Sequence, residues 1–238
     1  MQILVISDIH GNYPALQAVA RDCANLPIKY VFNCGDSLVY APFPNEAIDF
    51  LITRQAISIL GNTDEIILRL LSGKNFKKPA KEEKRVMYTR TAAMLSHASQ
   101  NYICHLKKKK RIDLKGWRIG LYHGSPADHK EFLFDNTSDV RFRELAIDVN
   151  ADVVITGHSH TPYHKHIDGV HFINPGSVGR MFDGNPAASY ALIKLSRHEL
   201  VVQHYRVPYD VETVVAELQK QALPPIYVAM FRQGKKLN

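Results

Sequence analysis

The chain has 238 residues, of which 45% are hydrophobic, and it carries a formal net charge of +7. This length and apolar share predict one soluble globular domain, residues 1–238, with a substantial core. No apolar run approaches the roughly 20 residues that span a bilayer, so we expect no membrane partner. Three cysteines without a CxxC spacing, and a first strand with no basic leader before it, predict a cytoplasmic protein with reduced thiols.

The first sixty residues alternate between strand-like and helix-like segments. Apolar runs at 3–6, 30–32 and 56–60 predict strands, and helical spacing predicts helices over 12–25 and 45–54. This β-α-β-α-β order is typical of an open sheet with helices on its faces. Polar residues flanked by glycine follow each strand, namely Asp8 with His10, then Asp36, then Asn62.

Positive charge is concentrated between Lys74 and Arg111, where twelve Lys or Arg residues stand against two acids, a local balance of +10. Apolar side chains from Tyr88 to Leu106 recur at spacings of three and four, which predicts a basic helical insertion over about 72–111, and a break in this stripe near Ser99 stays open. The lysines form either a solvated helix face, which is the ordinary case, or a surface that attracts a phosphorylated ligand. Nucleic acid is a further candidate partner for such a surface, but we do not favour it.

The second half of the chain continues with strands and ends with a helix. Strands are predicted at 117–122 and 152–155, with a helix over 138–149 between them. His123 follows the first of these strands, and His158 and His160 follow the second. Strands at 163–167, 170–173, 189–195 and 200–207 are joined by tight turns and suggest an antiparallel second sheet. A helix over 210–222 and a proline-containing tail complete the chain.

The polar residues at the strand ends predict a metal site. In open α/β sheets the carboxyl ends of the strands line the crevice where ligands bind, so these side chains should converge. Their number exceeds the four ligands of one tetrahedral zinc ion, and oxygen and imidazole donors favour divalent Mn, Fe, Co, Ni or Zn. We therefore predict two divalent metal ions. The candidate ligands are Asp8, His10, Asp36, Asn62, His123, His158 and His160.

In order and spacing, these motifs resemble those of the calcineurin-like metallophosphoesterase superfamily. A later segment, 174–178, resembles a loop of its small prokaryotic single-domain members. The resemblance implies an α/β fold, a four-layer α/β/β/α sandwich of two mixed sheets flanked by helices. It also implies two ligand sets that share Asp36, which are Asp8, His10, Asp36 and His160 for one ion and Asp36, Asn62, His123 and His158 for the other.

The activity implied by the resemblance is metal-dependent hydrolysis of phosphoric esters. Two ions roughly 3.5–4 Å apart would share a hydroxide that attacks phosphorus, with Asp36, Asn62 and His123 as catalytic residues. We expect a phosphodiesterase or phosphatase that acts on phosphodiesters or activated phosphate esters of a small molecule or a nucleotide. Two alternatives stay open: a protein phosphatase, and a non-catalytic metal-binding interaction module on the same fold. The sequence predicts no oligomeric state.

One position departs from the family pattern. Many members have a His directly after the Gly-Asn pair, where this chain has Thr63. A threonine hydroxyl is a poor general acid at neutral pH, so we expect a preference for good leaving groups such as aryl or anhydride phosphates. Thr63, Gly124 and Arg180 are the candidate substrate-binding residues.

A separate group of histidines lies in the second half of the chain. His164 and His166 would share a strand face, with His171 opposite them on the next strand. They form either an accessory metal site or, more ordinarily, a half-exposed sheet face.

Overall fold

The computed structural model describes residues 1–75 and 79–238, so residues 76–78 of the predicted basic insertion lie outside it. The described chain forms two five-stranded sheets and a set of helices. The strands are β1 (Gln2–Ile6), β2 (Ile28–Asn33), β3 (Ile57–Ser58), β4 (Lys109–Leu114), β5 (Trp117–Tyr122), β6 (Val153–Ile155), β7 (Tyr163–Ile167), β8 (Val170–Asn174), β9 (Ala188–Leu195) and β10 (Leu200–Val207). The helices are α1 (Tyr13–Asp22), α2 (Pro44–Thr53), α3 (Asn62–Leu71), α4 (Glu82–Met94), α5 (His97–Cys104), α6 (Asp139–Asp148), α7 (Val211–Lys220) and α8 (Pro225–Gln233).

Both sheets are mixed, as the resemblance implied. The first has the order β10-β9-β1-β2-β3, with β1, β2 and β3 parallel and β9 and β10 antiparallel beside them. The second has the order β4-β5-β6-β8-β7, with three central parallel strands and an antiparallel strand at each edge. The last four strands therefore do not form one antiparallel sheet. They form two pairs that join different sheets, because a local turn specifies the partner within a pair but not the sheet that the pair extends.

Three layers of apolar contacts hold the sandwich together. One core lies between the two sheets, a second lies between the first sheet and its helices, and a third packs α6 on the second sheet. Strand β1 is buried on both faces, since Ile3 and Val5 point to the other sheet whereas Leu4 and Ile6 point to the helices. This double burial explains the continuous apolar run at the start of the chain. The four-layer fold is thus confirmed.

Several elements differ from the sequence prediction. The basic segment contains two helices, with the interruption at Ser96 close to the break considered near Ser99, because Ser96 caps α5 by accepting a hydrogen bond from the Ser99 amide at 3.1 Å. Residues 109–111 of the predicted insertion lie in the edge strand β4.

The proline-containing tail forms α8, a helix that the sequence prediction missed. It buries Tyr227, Met230 and Phe231 and ends at Gly234, which adopts a left-handed conformation with φ of 59°. Within the described residues, no helix is long and apolar enough to cross a membrane.

Candidate metal centre

All seven predicted ligands lie at one edge of the sandwich, beyond the carboxyl ends of β1, β2, β3, β5 and β6. Six of them form two groups in which the potential ligand atoms lie within 4.8 Å of one another. The seventh, Asn62, joins the second group, since its Oδ1 is 3.0 Å from the Nε2 of His123. The first group is Asp8, His10 and His160, and the second is Asp36, His123 and His158.

Asp36 faces both groups. Its Oδ1 lies 3.3 Å from His123 Nε2 and accepts a hydrogen bond from the Thr63 amide at 2.8 Å. Its Oδ2 lies 4.0 Å from His10 Nε2 in the other group. The two oxygens of this carboxylate are therefore directed to different ligand groups.

Three of the imidazoles are oriented by the protein backbone. The Nδ1 of His10 is hydrogen-bonded to the Leu38 carbonyl at 3.3 Å. The Nδ1 of His123 is hydrogen-bonded to the Cys34 carbonyl at 2.8 Å. The Nδ1 of His160 likewise donates to the carbonyl of Arg180. A carbonyl can only accept, so each Nδ1 carries the proton and each Nε2 points into the centre.

The first group consists of acceptors that face one another. Nε2 of His160 lies 3.2 Å from Nε2 of His10 and 3.2 Å from Oδ1 of Asp8. That carboxylate oxygen is buried without a hydrogen-bond partner, whereas the other oxygen accepts from Ser7 Oγ at 2.6 Å and from the His158 amide at 3.0 Å. Buried acceptors without a hydrogen-bond partner lower the free energy of unfolding, and a cation bound among them would remove this penalty. The donor set therefore fits a metal ion.

The backbone is strained where it presents these groups. Five of the seven candidate ligands have φ between 51° and 65°, a region that non-glycine residues seldom adopt. Such conformations persist where the surrounding structure over-determines them, and they cluster at functional sites. The five are Asp8, His10, Asp36, His158 and His160.

Close approach of the strand-end loops also requires glycine at two positions. A Cβ added to Gly61 would lie 2.1 Å from the backbone nitrogen of Asp36. One added to Gly157 would lie 2.0 Å from Ser7 Oγ. A side chain at either position would push apart neighbouring strand-end loops that carry candidate ligands.

Burial and mutual contact shift the pKa values of several of these side chains. Burial raises the pKa of Asp36, but the adjacent His123 outweighs burial and holds that pKa well below its ordinary value. In return, Asp36 raises the pKa of His123 to about 10 against the effect of burial. Burial lowers the pKa of His10 to about 3 and that of His158 to about 4, each with help from a neighbouring histidine. These two imidazoles are therefore neutral at pH 7, the form that binds metals.

Helix α3 was missed by the sequence prediction, although it begins inside the site. Asp64 accepts hydrogen bonds from the amides of Gly61 at 3.0 Å, Ser37 at 3.3 Å and Leu38 at 3.1 Å. It thereby caps the helix and holds the loop after β2. Burial, followed by the charge of Asp36, raises the pKa of Asp64 to about 7. An acid three residues after a glycine, ahead of a Leu/Ile-rich run, is the signal that could have predicted this helix.

The three candidate substrate-binding residues have different surroundings. Thr63 lines the cleft, but its hydroxyl donates to the Leu38 carbonyl at 3.2 Å. Gly124 packs against the backbone of Asp128 and His129 and is not among the described residues that line the cleft. Arg180 lines the cleft.

The loop that carries Arg180 is tied to the end of β1. The amide of Gly179 donates to the carbonyl of Asp8 at 3.0 Å, and the hydroxyl of Ser177 donates to the same carbonyl at 2.7 Å. The guanidinium carbon of Arg180 lies 3.8 Å from the ring centroid of Tyr40. The side chain is thereby held beside the first ligand group.

Sequence reasoning missed the other residues of the cleft wall. Phe132 stacks on His158 with ring centroids 4.0 Å apart, and Phe182 stacks on His160 at 4.4 Å. Apart from Lys84 on α4, the missed residues lie in loops and near the end of the chain, in segments that carry no motif. The missed wall residues are Tyr40, Lys84, Phe132, Phe182, Lys236 and Asn238.

The histidines of β7 and β8 share one sheet face, as predicted. His164 Nε2 lies 3.0 Å from His171 Nδ1, and the rings of His166 and His171 stack at 4.1 Å. Over residues 1–75 and 79–238, these three do not bring three ligand atoms within 4.8 Å of one another.

Comparison with models of protein families matches residues 1–198 to the calcineurin-like phosphoesterase superfamily domain. An uncharacterized protein of Methanocaldococcus jannaschii is 28% identical over 239 residues, which cover 93% of each chain. The crystal structure of a metallophosphoesterase from Sphaerobacter thermophilus is similar with a TM-score of 0.82 at 26% identity, over 98% of this chain and 99% of that one. A hypothetical protein from Pyrococcus horikoshii OT3 shares the fold with a TM-score of 0.87 at 18% identity, over 99% of both chains.

Proposed function

This chain belongs to the calcineurin-like phosphoesterase superfamily, and from that premise we propose that it hydrolyses phosphoric esters with two divalent metal ions. The convergence of buried acceptors, with the unpartnered Oδ1 of Asp8 among them, is the observation that carries the proposal. Asp8, His10, Asp36 and His160 would hold one ion, and Asp36, Asn62, His123 and His158 the other. When bound, the ions supply charge neutralisation of the phosphoryl oxygens and a nucleophile at neutral pH.

Arg180 supports a phosphate-binding role for the cleft. Its side chain is only 8% exposed, yet within the described chain no carboxylate forms an ion pair with it. Its guanidinium instead contacts the Tyr40 ring and the Met230 sulfur. A buried guanidinium needs an anion, and its planar fork matches two oxygens of a phosphate.

The cleft wall supports a preference for good leaving groups. Apart from the seven candidate ligands, no described side chain of the wall is a His, Asp or Glu that could protonate a leaving oxygen. The Thr63 hydroxyl is already bonded to Leu38. Phe132, which is 50% exposed, offers an apolar ring face beside His158 for an aryl group or a base. We therefore favour phosphodiesters and activated esters with an aromatic or anhydride leaving group.

The proposal is tested with bis-p-nitrophenyl phosphate as substrate. Chelation should abolish nitrophenol release and added Mn²⁺ should restore it, while elemental analysis should find two metal ions per chain. Asp36→Asn and His123→Ala should each abolish turnover, whereas Asp113→Asn, the same chemical change at an exposed site on β4, should not. Catalysis that persists in both site variants would show that the ligand assignment is wrong.

Two other outcomes would identify the alternatives. Metal binding without turnover of any ester would favour a metal-binding interaction module. Turnover of phosphopeptides in preference to aryl diesters would favour a protein phosphatase.

A further inference from the structure

We infer, on the basis of the proposed function, that Lys84, Arg180 and Lys236 form a second anion subsite beside the metal centre. The subsite would bind a phosphate that is linked to the phosphate under attack. The substrate class is then an ester with at least two linked phosphates, such as a nucleoside diphosphate or an ester of one.

The three cations come from separate parts of the chain and meet on one side of the cleft. Lys84 is on α4, Arg180 follows β8, and Lys236 follows α8. The ring of Phe182 links two of them, with the Arg180 guanidinium carbon 5.3 Å and the Lys236 Nζ 5.9 Å from its centroid. Burial lowers the pKa of Lys84, and the positive charges of Lys236 and Arg180 lower it further.

These cations have no acidic partner in the described chain. Other arginines on this protein pair with carboxylates, as Arg118 does with Asp152 and Arg141 with Glu131. None of the ion pairs among the described residues involves Lys84, Arg180 or Lys236. Grouped like charges without counterions raise the energy of the free protein, and a polyanionic ligand would compensate them.

The position of the subsite fits a second phosphate better than the phosphate under attack. Two divalent ions, balanced by the carboxylates of Asp8 and Asp36, would already supply surplus positive charge for one phosphoryl group. Three additional cations exceed what a monoester or simple diester can neutralise. The guanidinium of Arg180 is also close to the first ligand group, because the Tyr40 ring lies 3.8 Å from the guanidinium carbon and its centroid lies 5.2 Å from that of the His10 ring. An anion bound to Arg180 is therefore adjacent to the reacting phosphate.

The basic segment contributes to this subsite through one residue. Of its described Lys and Arg residues, only Lys84 lines the cleft. Lys110 lies on the exposed edge strand β4, away from the wall of the cleft. Replacement of Lys84 removes one positive charge inside the proposed subsite, and replacement of Lys110 removes one outside it.

The experiment measures binding of AMP and ADP to chelator-treated protein by isothermal titration calorimetry. We expect ADP to bind about tenfold more tightly than AMP, because one added phosphate gains charge-assisted hydrogen bonds. Lys84→Met and Lys236→Met should each reduce this ratio of dissociation constants by about threefold or more. Lys110→Met should leave the ratio as it is in the unaltered protein.

Equal affinity for AMP and ADP would overturn the inference. The inference would also be overturned if Lys110→Met reduced the ratio of dissociation constants as much as Lys84→Met and Lys236→Met do. That result would indicate a general effect of protein charge. Turnover of bis-p-nitrophenyl phosphate, measured on the Mn²⁺-loaded protein, separates this inference from the proposed function. A preference for ADP without turnover would keep the subsite and refute the hydrolase, whereas turnover without a preference for ADP would refute the subsite alone.

Discussion

Replacement of Asp8 by Asn should change the stability of the metal-free and metal-loaded proteins in opposite directions. Oδ1 of Asp8 is buried without a hydrogen-bond donor and lies 3.2 Å from the unprotonated Nε2 of His160. An asparagine amide at that position would donate to Nε2. Its oxygen would keep the hydrogen bonds from Ser7 and the His158 amide. The substitution therefore removes a charge and adds a donor without changing the shape of the side chain.

The expected magnitude follows from two opposing effects. Satisfying a buried acceptor is worth about 1–3 kcal/mol. Against this, the favourable interaction of the Asp8 carboxylate with the positively charged His123, which helps to lower the pKa of Asp8 despite its burial, is lost in Asp8→Asn. We therefore expect a gain near the lower end, about 1 kcal/mol, in the free energy of unfolding of the metal-free protein. For a chain of this size that corresponds to a rise in Tm of roughly 2–4 °C.

Metal binding should reverse the order of the two proteins. A ligand at one hundred times its Kd stabilises the folded state by about 2.7 kcal/mol, so the unaltered protein should gain roughly 5–10 °C in Tm on addition of Mn²⁺. Asp8→Asn has lost a charged ligand and should gain less than half of that rise at the same Mn²⁺ concentration.

Differential scanning calorimetry of both proteins, with chelator and with Mn²⁺, checks these values. Asp113→Asn is the matched control, because this carboxylate is 70% exposed on β4. A metal-free Asp8→Asn protein that is less stable than the unaltered one, combined with a full Mn²⁺-dependent rise in Tm, would refute the reasoning about unpartnered acceptors.

Three further predictions concern pH, the cleft wall and the leaving group. In the metal-free protein, His10 and His158 have pKa values of about 3 and about 4, so the unfolded chain binds more protons and stability should fall as the pH decreases from about 6.5 toward 4. His123 has a pKa of about 10 in the folded protein, so there the folded state binds the extra proton. Its contribution to the free energy of unfolding should be lost as the pH rises from about 6.5 to 10. Urea midpoints of chelator-treated protein should therefore be highest near neutral pH, and a midpoint that rises steadily with pH would contradict this. Phe132→Ala should raise KM for aryl phosphodiesters about fivefold or more through lost ring stacking, while the metal content stays the same; an unchanged KM would exclude stacking. Because Thr63 cannot protonate the leaving oxygen, turnover of a series of aryl esters should fall steeply as the pKa of the leaving phenol rises, and a flat dependence would contradict that account.

Sequence reasoning succeeded where a local pattern and a general rule of sheets act together. The apolar run before Asp8 and the glycine-flanked residues after the later strands indicated which side chains leave the sheet at its carboxyl edge. Parallel strands place those ends side by side, so the convergence of the seven residues could be expected without coordinates. That they bind metal ions in the two predicted sets stays a proposal.

Other features depended on packing that no local pattern specifies. The tail after α7 reads as irregular because of its prolines, yet it forms α8 and brings Lys236 to the cleft. Lys84 is one of many lysines in a basic segment, and its place on the cleft wall depends on how α4 packs. Phe132 lies in a loop, where sequence carries the least information about position.

The sequence alone determined the set of residues at the carboxyl edge, because strand periodicity and glycine-flanked ends are local properties, and the motif resemblance implied the family and the mixed α/β sandwich. Only the tertiary structure decided that Asp36 directs one oxygen to each group and that five of these residues adopt left-handed backbone. It also decided that Arg180 is buried without an acid and that two lysines join it. Distances, burial and missing partners result from contacts between segments that are remote in the chain, and such contacts exist only in the folded molecule.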